Sequence, residues 1–183
     1  MAMSALAIIG DDLTGCMDTG VLFVKRWSRV SVVFDKCLIE EMTQHNDVVI
    51  IDTESRNIAA DKAYPIVREF AERLEKSGSE LVYKKIDSTL RGNIGRELEA
   101  ILDEGVFEMI AFVPALPLNG RTTVNGYHYL NGRLLMESDL ASDPFSPVDS
   151  SYIPDIIKKQ AMTKTAVIEL RDIRGGCDHL MAV

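Results

Sequence analysis

The sequence predicts an α/β fold in which a mostly parallel sheet carries helices on both faces, with a small β-hairpin appendage near residues 124–136. Short apolar runs recur along the chain, and between them lie segments whose apolar residues are spaced by three and four positions. Strands that alternate with helices are typical of a parallel sheet covered on both sides. The hairpin is indicated by Asn131-Gly132, which lies between two apolar runs.

The individual elements follow from these patterns in chain order. The first strand, Leu6–Ile9, is too short for a buried helix and leads into a polar segment and then a helix that reaches about Val24. Further strands are predicted at 30–34, 47–51, 81–86, 109–113 and 166–170. Further helices are predicted at 61–76, 94–104 and 153–160. Pro65 fits only the first turn of a helix, so we expect the helix around it to start late.

Composition narrows the class of protein. A chain of 183 residues with 46% apolar and 26% charged residues predicts one globular domain and excludes wholesale disorder. The net charge of −8 disfavours general nucleic-acid binding. No apolar run is long enough for a membrane span, and no basic stretch precedes the first apolar run, so neither a membrane partner nor a signal peptide is expected.

Cysteine and histidine usage adds two expectations. Cys16, Cys37 and Cys177 contain no CxxC pair, which favours a reducing cytoplasm over a disulfide framework or a zinc ribbon. The three histidines lack metal-ligand spacing, so we predict no metal site and interpret them as surface or loop residues. The sequence also lacks a GxxxxGK[ST] phosphate loop.

Polar segments follow four of the predicted strands, at the sheet edge where ligands bind in folds of this kind. They are Gly10–Gly15, Asp52–Asn57, Lys85–Asn93 and Pro114–Thr123. The first two segments also have simpler interpretations. Asp11 or Asp12 could cap the next helix, Asp52 or Ser55 could do the same, and Arg56 could be a surface residue.

The third segment is harder to explain structurally. Lys85, Asp87, Ser88, Thr89 and Arg91 crowd between a strand and a helix, and Gly92 follows them. Glycine permits close approach of the backbone, a helix N-terminus favours an anion, and Lys and Arg bind carboxylate or phosphate. The fourth segment adds Arg121 beside Gly120. Carboxylates and cations at one edge suit a ligand with hydroxyls and an anionic group, such as a small sugar acid.

A phosphoacceptor receiver domain has a partly similar layout. Its acidic pair would be Asp11-Asp12, Asp52 would follow the third strand, and Ser88-Thr89 would follow the fourth. Such domains need a lysine before the proline after strand five, whereas Val113 precedes Pro114 here and the chain continues well beyond it. The sequence therefore disfavours this interpretation.

Taken together, the polar segments resemble the motifs of the four-carbon acid-sugar kinase family. The matching stretches are Ile9–Gly15 with Asp18–Gly20, Asp52–Arg56, Lys84–Gly95 with Glu97, Val113–Pro117, Gly120–Thr123 and Asp143-Pro144. The resemblance reaches to about Leu170. Cys16 and Leu116 depart from the residues usual in the family, alanine and an aromatic residue respectively.

The resemblance implies an activity and a domain organisation. The family consists of ATP-dependent kinases that phosphorylate threonate, erythronate or 3-oxo-tetronate, with a sugar-acid domain followed by an ATP domain. Residues 1–183 would be the sugar-acid domain, inactive alone, while ATP and Mg²⁺ would bind a C-terminal domain absent from this chain. The final residues 174–183 carry no element that closes the predicted strand before them, so we expect an interrupted chain.

The resemblance also implies roles for individual residues. The expected catalytic residues are Asp11, Asp12, Lys85, Asp87 and Arg91. The expected substrate-binding residues are Asp11, Asp12, Ser55, Arg56, Lys85, Asp87, Ser88, Arg91, Gly92, Asn93 and Arg121. One of the first two aspartates would accept the proton of the attacking hydroxyl, and Lys85 and Arg91 would bind the carboxylate or offset phosphoryl charge.

Two alternatives remain open at this point. The chain could be a non-catalytic protein that senses a sugar acid through the same pocket, or an effector-like interaction protein. An isolated half with an exposed docking face could also form a homo-oligomer.

Overall fold

The computed structural model describes residues 6–27, 29–105 and 107–181, with the side chains of residues 80–82 outside the description. Four parallel strands form the main sheet in the order β2-β3-β1-β4. They are β1 (Leu6–Gly10), β2 (Val30–Val33), β3 (Val48–Asp52) and β4 (Glu80–Lys85). Gly10 lies opposite both Asp52 and Lys85, so the polar segments that follow these three strands leave the sheet at the same level.

Seven α-helices lie in the described part of the chain. They are α1 (Leu13–Phe23), α2 (Ile39–His45), α3 (Ala60–Lys76), α4 (Ile94–Leu102), α5 (Ile153–Gln160), α6 (Leu170–Arg174) and α7 (Cys177–Leu180). Cys16 of α1 packs with Ile8 and Ile50 on one face of the sheet, while α2, α3 and α4 bury the opposite face, which includes Ile9 and Ile51. The predicted α/β fold with helices on both faces is therefore confirmed.

A separate antiparallel sheet confirms the predicted hairpin. Its strands are β5 (Arg121–Val124), β6 (Tyr127–Leu130) and β7 (Arg133–Leu134). Asn125-Gly126 and Asn131-Gly132 form the two turns with positive φ at all four residues, which is the geometry that favours Asn-Gly in tight hairpins. The sequence indicated one of these hairpins, and the structure adds β5 as a third strand.

An apolar cluster between α4 and α5 connects this part of the molecule to the loop after β4. Its buried members are Leu90, Ile94, Leu98, Leu135, Val148, Ile153, Ile156 and Ile157. Leu90 is the member that matters for the site, because it lies in that loop and is only 4% exposed. The cluster thus anchors the polar segment Lys85–Asn93 through the side chain of Leu90.

Two predicted strands are wrong. Within the described residues, 109–113 and 166–169 form no ladder, and Leu170 begins α6. In the first segment, Ile110 and Phe112 pack against the apolar clusters while Met109 and Val113 are 79% exposed. The alternation typical of a strand is present, but a strand also needs a neighbour that supplies hydrogen bonds, and a sequence window does not contain that neighbour.

The expected late start of the third helix is also wrong. Helix α3 begins at Ala60, which places Pro65 in its second turn. Proline at this position lacks the N–H group that would bind the Asp61 carbonyl, and because Asp61 is exposed, solvent can bind that carbonyl instead.

Within the described residues, no helix combines the length and apolar character that a membrane crossing requires.

Candidate functional site

The segments after β1 and β3 are tied together at the carboxyl edge of the sheet. The Thr53 amide donates to the Gly10 carbonyl at 3.1 Å, and the Arg56 amide donates to the Asp11 carbonyl at 3.1 Å. These bonds continue the pairing of β1 and β3 into the segments that follow the two strands. They bring the Arg56 side chain over the acidic pair that follows β1.

Arg56 binds both aspartates at once. Its Nε and Nη2 donate to the two carboxylate oxygens of Asp11 at 2.8 and 2.9 Å, and its Nη1 and Nη2 donate to those of Asp12 at 2.5 and 2.6 Å. Asp11 is 2% exposed, Arg56 12% and Asp12 23%. Burial alone would lower the pKa of Arg56, but its hydrogen bonds to Asp11 and the nearby carboxylates raise it above the ordinary value. Arg56 is therefore a permanent cation that holds two carboxylates in fixed positions.

Asp12 has a second, structural contact. Its Oδ1 accepts a hydrogen bond from the Gly15 amide at 2.9 Å, as the N-cap of α1. The helix-capping interpretation of Asp12 is thus confirmed alongside its contact with Arg56. Asp12 is also the more accessible of the two carboxylates, because Asp11 lies almost fully under Arg56.

The loop after β4 forms a second ion-pair cluster. Arg91 Nε donates to Asp87 Oδ2 at 2.7 Å, Thr89 Oγ1 donates to the same oxygen at 2.5 Å, and Arg91 Nη1 donates to Asp143 Oδ2 at 3.2 Å. Burial of Asp87 acts to raise its pKa, but the bonds from Arg91 and Thr89 and the charge of Arg56 lower it below the usual range. Asp87 is thus held ionised, and its electrostatic coupling to Arg56 links the two clusters.

Lys85 differs from the two arginines. Its Nζ donates to the Ile86 carbonyl at 2.8 Å, and among the residues that the structure describes no carboxylate lies within 4.0 Å of it. A Cβ added at Gly15 would lie 3.0 Å from this nitrogen, so glycine at that position lets the ammonium group lie against the first turn of α1. Lys85 is half-buried and retains N–H donors for a further partner.

A buried network lies directly under the site. Lys84 Nζ contacts Glu97 Oε2 at 2.7 Å, Ser55 Oγ donates to Glu97 Oε1 at 2.6 Å, and both Ser55 and Glu97 are at most 1% exposed. Asn93 Nδ2 donates to the carbonyls of Ser55 and Ile58 at 2.8 Å each. Ser55 and Asn93 therefore hold the Arg56 loop in place, and whether either also touches a ligand stays a prediction.

A cavity of about 310 Å³ opens beside the ion pairs. Of the predicted site residues, Arg56, Arg91, Gly92 and Asn93 line it. Its other walls are Leu90, residues 57–58, residues 145–149, Ile156, Lys159 and Gln160. A Cβ added at Gly92 would come within 2.9 Å of Arg56 Cγ, and the φ of Gly92 is +92°, so only glycine brings the two loops this close.

The remaining predicted residues lie at the margin of the site. Arg121 Nη1 donates to the Asn119 carbonyl, its Nε is buried with no hydrogen-bond partner among the described residues, and its charge acts on buried His128. Ser88 is part of the β4–α4 loop, and its carbonyl oxygen accepts a contact from His128 Nε2 at 3.0 Å. Whether any of these residues touches a ligand stays a prediction.

Two groups at this edge are buried, whereas the sequence suggested other roles for them: Asp52 was interpreted as a possible helix cap, but Ala59 is the N-cap residue of α3. Asp52, at the end of β3, is 3% exposed, and its Oδ2 has no hydrogen-bond partner among the described residues. Burial is the main cause that raises its pKa to about 6, with the charges of Glu54 and Asp12 adding to it. His128 was interpreted as a surface or loop residue, but it is fully buried. The nearest signal was its position in a hairpin strand two residues after a glycine.

Comparison with known proteins agrees with the predicted family. A family model described as a sugar-binding N-terminal domain matches residues 6–183. A D-threonate kinase of Salmonella typhimurium is 38% identical over 172 residues, which are 93% of this chain and 40% of that protein. A D-erythronate kinase of Heliobacterium modesticaldum is 36% identical over 182 residues, 98% of this chain and 41% of that protein. The chain thus spans about two fifths of the length of these curated relatives.

A solved structure supports the fold independently. A crystal structure from Bordetella bronchiseptica, described as a domain-swapped dimer with bound citrate, superposes with a TM-score of 0.77 and 37% identity. The match covers 84% of this chain and 39% of that one. The predicted resemblance and the observed fold therefore agree.

Proposed function

We propose that this chain, which belongs to the sugar-binding N-terminal domain family, is the substrate-binding part of an ATP-dependent kinase for a four-carbon sugar acid such as threonate, erythronate or 3-oxo-tetronate. The observation that carries the proposal is the grip of Arg56 on both Asp11 and Asp12, beside a cavity that Arg56 and Arg91 line. Carboxylates suit the hydroxyls of such a ligand, and guanidinium groups suit its carboxylate.

Each group has a distinct task in this proposal. Arg91 binds the carboxylate of the acid, because its guanidinium lines the cavity and is 30% exposed. Asp12 accepts the proton of the attacking hydroxyl, because it is the more accessible carboxylate of the pair. Lys85 offsets the charge of the transferred phosphoryl group from its position against the first turn of α1.

In this proposal the transfer also uses ATP and Mg²⁺, which the resemblance assigns to a further domain. The alcohol oxygen would attack the terminal phosphorus of ATP while Asp12 takes the proton, and ADP would leave. Among the described residues, no three His, Cys, Asp or Glu side chains are grouped to hold a metal ion. Following the two-domain organisation that the resemblance implies, we propose that a further domain supplies ATP and Mg²⁺ and that this chain alone binds the acid without turnover.

Two further properties accompany the proposal. The Bordetella bronchiseptica relative is described as a domain-swapped dimer, and Met17, Val21 and Leu22 of α1 are more than half exposed here, so we propose that the chain self-associates. Light scattering on the purified chain measures its oligomeric state directly.

A cytoplasmic location remains our expectation from the three unpaired cysteines and the metabolic relatives.

Calorimetric titration of the purified chain tests the main proposal. D-threonate, L-threonate, D-erythronate and ATP are titrated separately, and we expect one acid to bind while ATP gives no heat. ATP binding without acid binding, or no acid binding at millimolar concentration, would overturn it.

Arg91→Ala tests the assigned carboxylate contact in the same assay. We expect at least about a tenfold loss of affinity with a smaller effect on the denaturation midpoint, because the guanidinium is partly exposed. Arg133→Ala, an exposed arginine of β7, is the matched control. If Arg91→Ala unfolds the chain while its folded fraction binds normally, the assigned role is wrong.

A further inference from the structure

His128 lies where the small sheet meets the loop after β4. It is fully buried in β6. Its ring is held on both sides: Nδ1 lies 3.0 Å from Thr123 Oγ1, across the β5–β6 ladder, and Nε2 lies 3.0 Å from the Ser88 carbonyl oxygen. Both ring nitrogens therefore have partners, and one partner belongs to the candidate site.

The partners determine where the ring carries its proton. A carbonyl oxygen only accepts hydrogen bonds, so Nε2 must donate to Ser88. Burial and the charge of Arg121 lower the pKa of His128, against the opposing effects of the Ser88 bond and the charge of Asp87. The ring is therefore neutral, Nδ1 is the acceptor, and the Thr123 hydroxyl donates to it.

The loop that receives this hydrogen bond has unusual backbone geometry. Leu90 has a φ of +58° and Gly92 a φ of +92°, so the segment adopts left-handed conformations at two positions within three residues. Such a loop needs external contacts to stay in one conformation. Gln160 Nε2 supplies one of them by donating to the Gly92 carbonyl at 3.0 Å, and His128 supplies another at Ser88.

We infer that His128 is a positioning residue of the sugar-acid site: by donating Nε2–H to the Ser88 carbonyl, it fixes the loop that presents Asp87 and Arg91. Ser88 is adjacent to Asp87, so a shift of its carbonyl group moves the carboxylate that orients Arg91. His128 itself has no exposed surface and does not touch the ligand. The inference rests on the proposed function only for its effect on affinity, since the effect on the loop does not need a ligand.

Two amide substitutions separate the two halves of the imidazole. His128→Gln places an amide nitrogen near the position of Nε2 and keeps a donor for Ser88, whereas His128→Asn reaches only as far as Nδ1 and keeps the Thr123 side. Calorimetry gives the affinity for the acid, urea unfolding gives the folded fraction, and NMR gives the backbone amide shifts of residues 87–92. The ring-nitrogen shifts of the wild-type chain give its tautomer. His45→Asn, at an exposed histidine of α2, is the matched control.

We expect rescue by glutamine. His128→Gln should keep the affinity within about threefold and leave the 87–92 amide shifts in place, while His128→Asn should lose at least about tenfold and shift them. Equal affinity of folded His128→Asn and wild type, equal losses in both variants, or a wild-type ring protonated at Nδ1 would each overturn the inference. If the wild-type chain binds no acid, the proposed function fails, and unchanged loop shifts in His128→Asn would still refute the positioning role by themselves.

Discussion

Replacing Asp52 by asparagine should stabilise the protein most strongly at neutral pH. The carboxylate is buried, one of its oxygens has no hydrogen-bond partner in the described part of the chain, and its pKa is raised to about 6, against an ordinary value of 3.8. The native state therefore binds this proton more tightly than the unfolded chain does. Stability from this group is fully present below the unfolded pKa and is lost as pH rises through the folded one. Asparagine cannot ionise, so it removes that loss.

The shift sets the size of the effect. A difference of about two pKa units corresponds to about 3 kcal/mol of lost stability at about pH 7.5. The loss is about 1 kcal/mol at about pH 4.5, where the unfolded chain is mostly ionised while the native carboxyl is still protonated. The unpaired N–H groups of the new amide destabilise the variant by about 1–3 kcal/mol, and this cost does not depend on pH. The quantity to compare is therefore the change of the variant's advantage between the two pH values, which is about 2 kcal/mol.

Urea unfolding of wild type and Asp52→Asn at both pH values measures this change. Asp18→Asn, at an exposed carboxylate of α1, is carried through as the control and should show little pH-dependent difference. Titration of other groups cancels in the comparison, provided that they do not contact Asp52. A stability of Asp52→Asn relative to wild type that does not change with pH, or that increases on acidification, would refute the assignment of a buried, weakly acidic carboxylate at this position.

Two other substitutions probe the geometry of the site. Arg56→Met should lower the free energy of unfolding by about 3 kcal/mol, because Asp11 and Asp12 lose the cation that offsets their burial; an unchanged urea midpoint would contradict this. Gly92→Ala should cost about 2 kcal/mol or more, since it combines a φ of +92° with a Cβ 2.9 Å from Arg56 Cγ. Gly78→Ala has a similar φ and open space around it, so it should cost only about 1 kcal/mol, and equal losses in the same assay would count against the loop contact.

The sequence predicts best where a local pattern is sufficient. Ile8 and Ile50 belong to continuous apolar runs followed by polar residues, and such runs form buried parallel strands. Asn131-Gly132 requires positive φ at both turn residues, so its hairpin also follows from two neighbouring residues. Segment 109–113 has the same local pattern without a ladder, because the missing information is the position of a partner strand.

The candidate site also has a part that the sequence predicts and a part that it does not. The order of the segments predicts that the loops after β1, β3 and β4 share an edge, and the structure brings Arg56 onto the acidic pair there. The sequence does not predict that the Ser55 side chain binds Glu97, because the two residues are 42 positions apart and meet only in the folded chain. His128 is hidden for the same reason, because its partner Ser88 lies 40 positions away.

These contacts indicate that the site is organised before any ligand arrives. Arg56 and Arg91 are each fixed by carboxylates of the chain, and buried ion pairs of this kind contribute little net stability compared with apolar packing, whereas they define geometry. The unpartnered oxygen of Asp52 and the left-handed backbone at Leu90 cost stability at the same edge. Lys85 is the cation at this edge that the described residues leave without a carboxylate, so it is the group with the most to gain when an anion enters. Strain and unpaired charge thus lie at the sheet edge that is held by ion pairs and by the buried Lys84–Glu97 network, which supports the proposed binding of a polar, anionic ligand there.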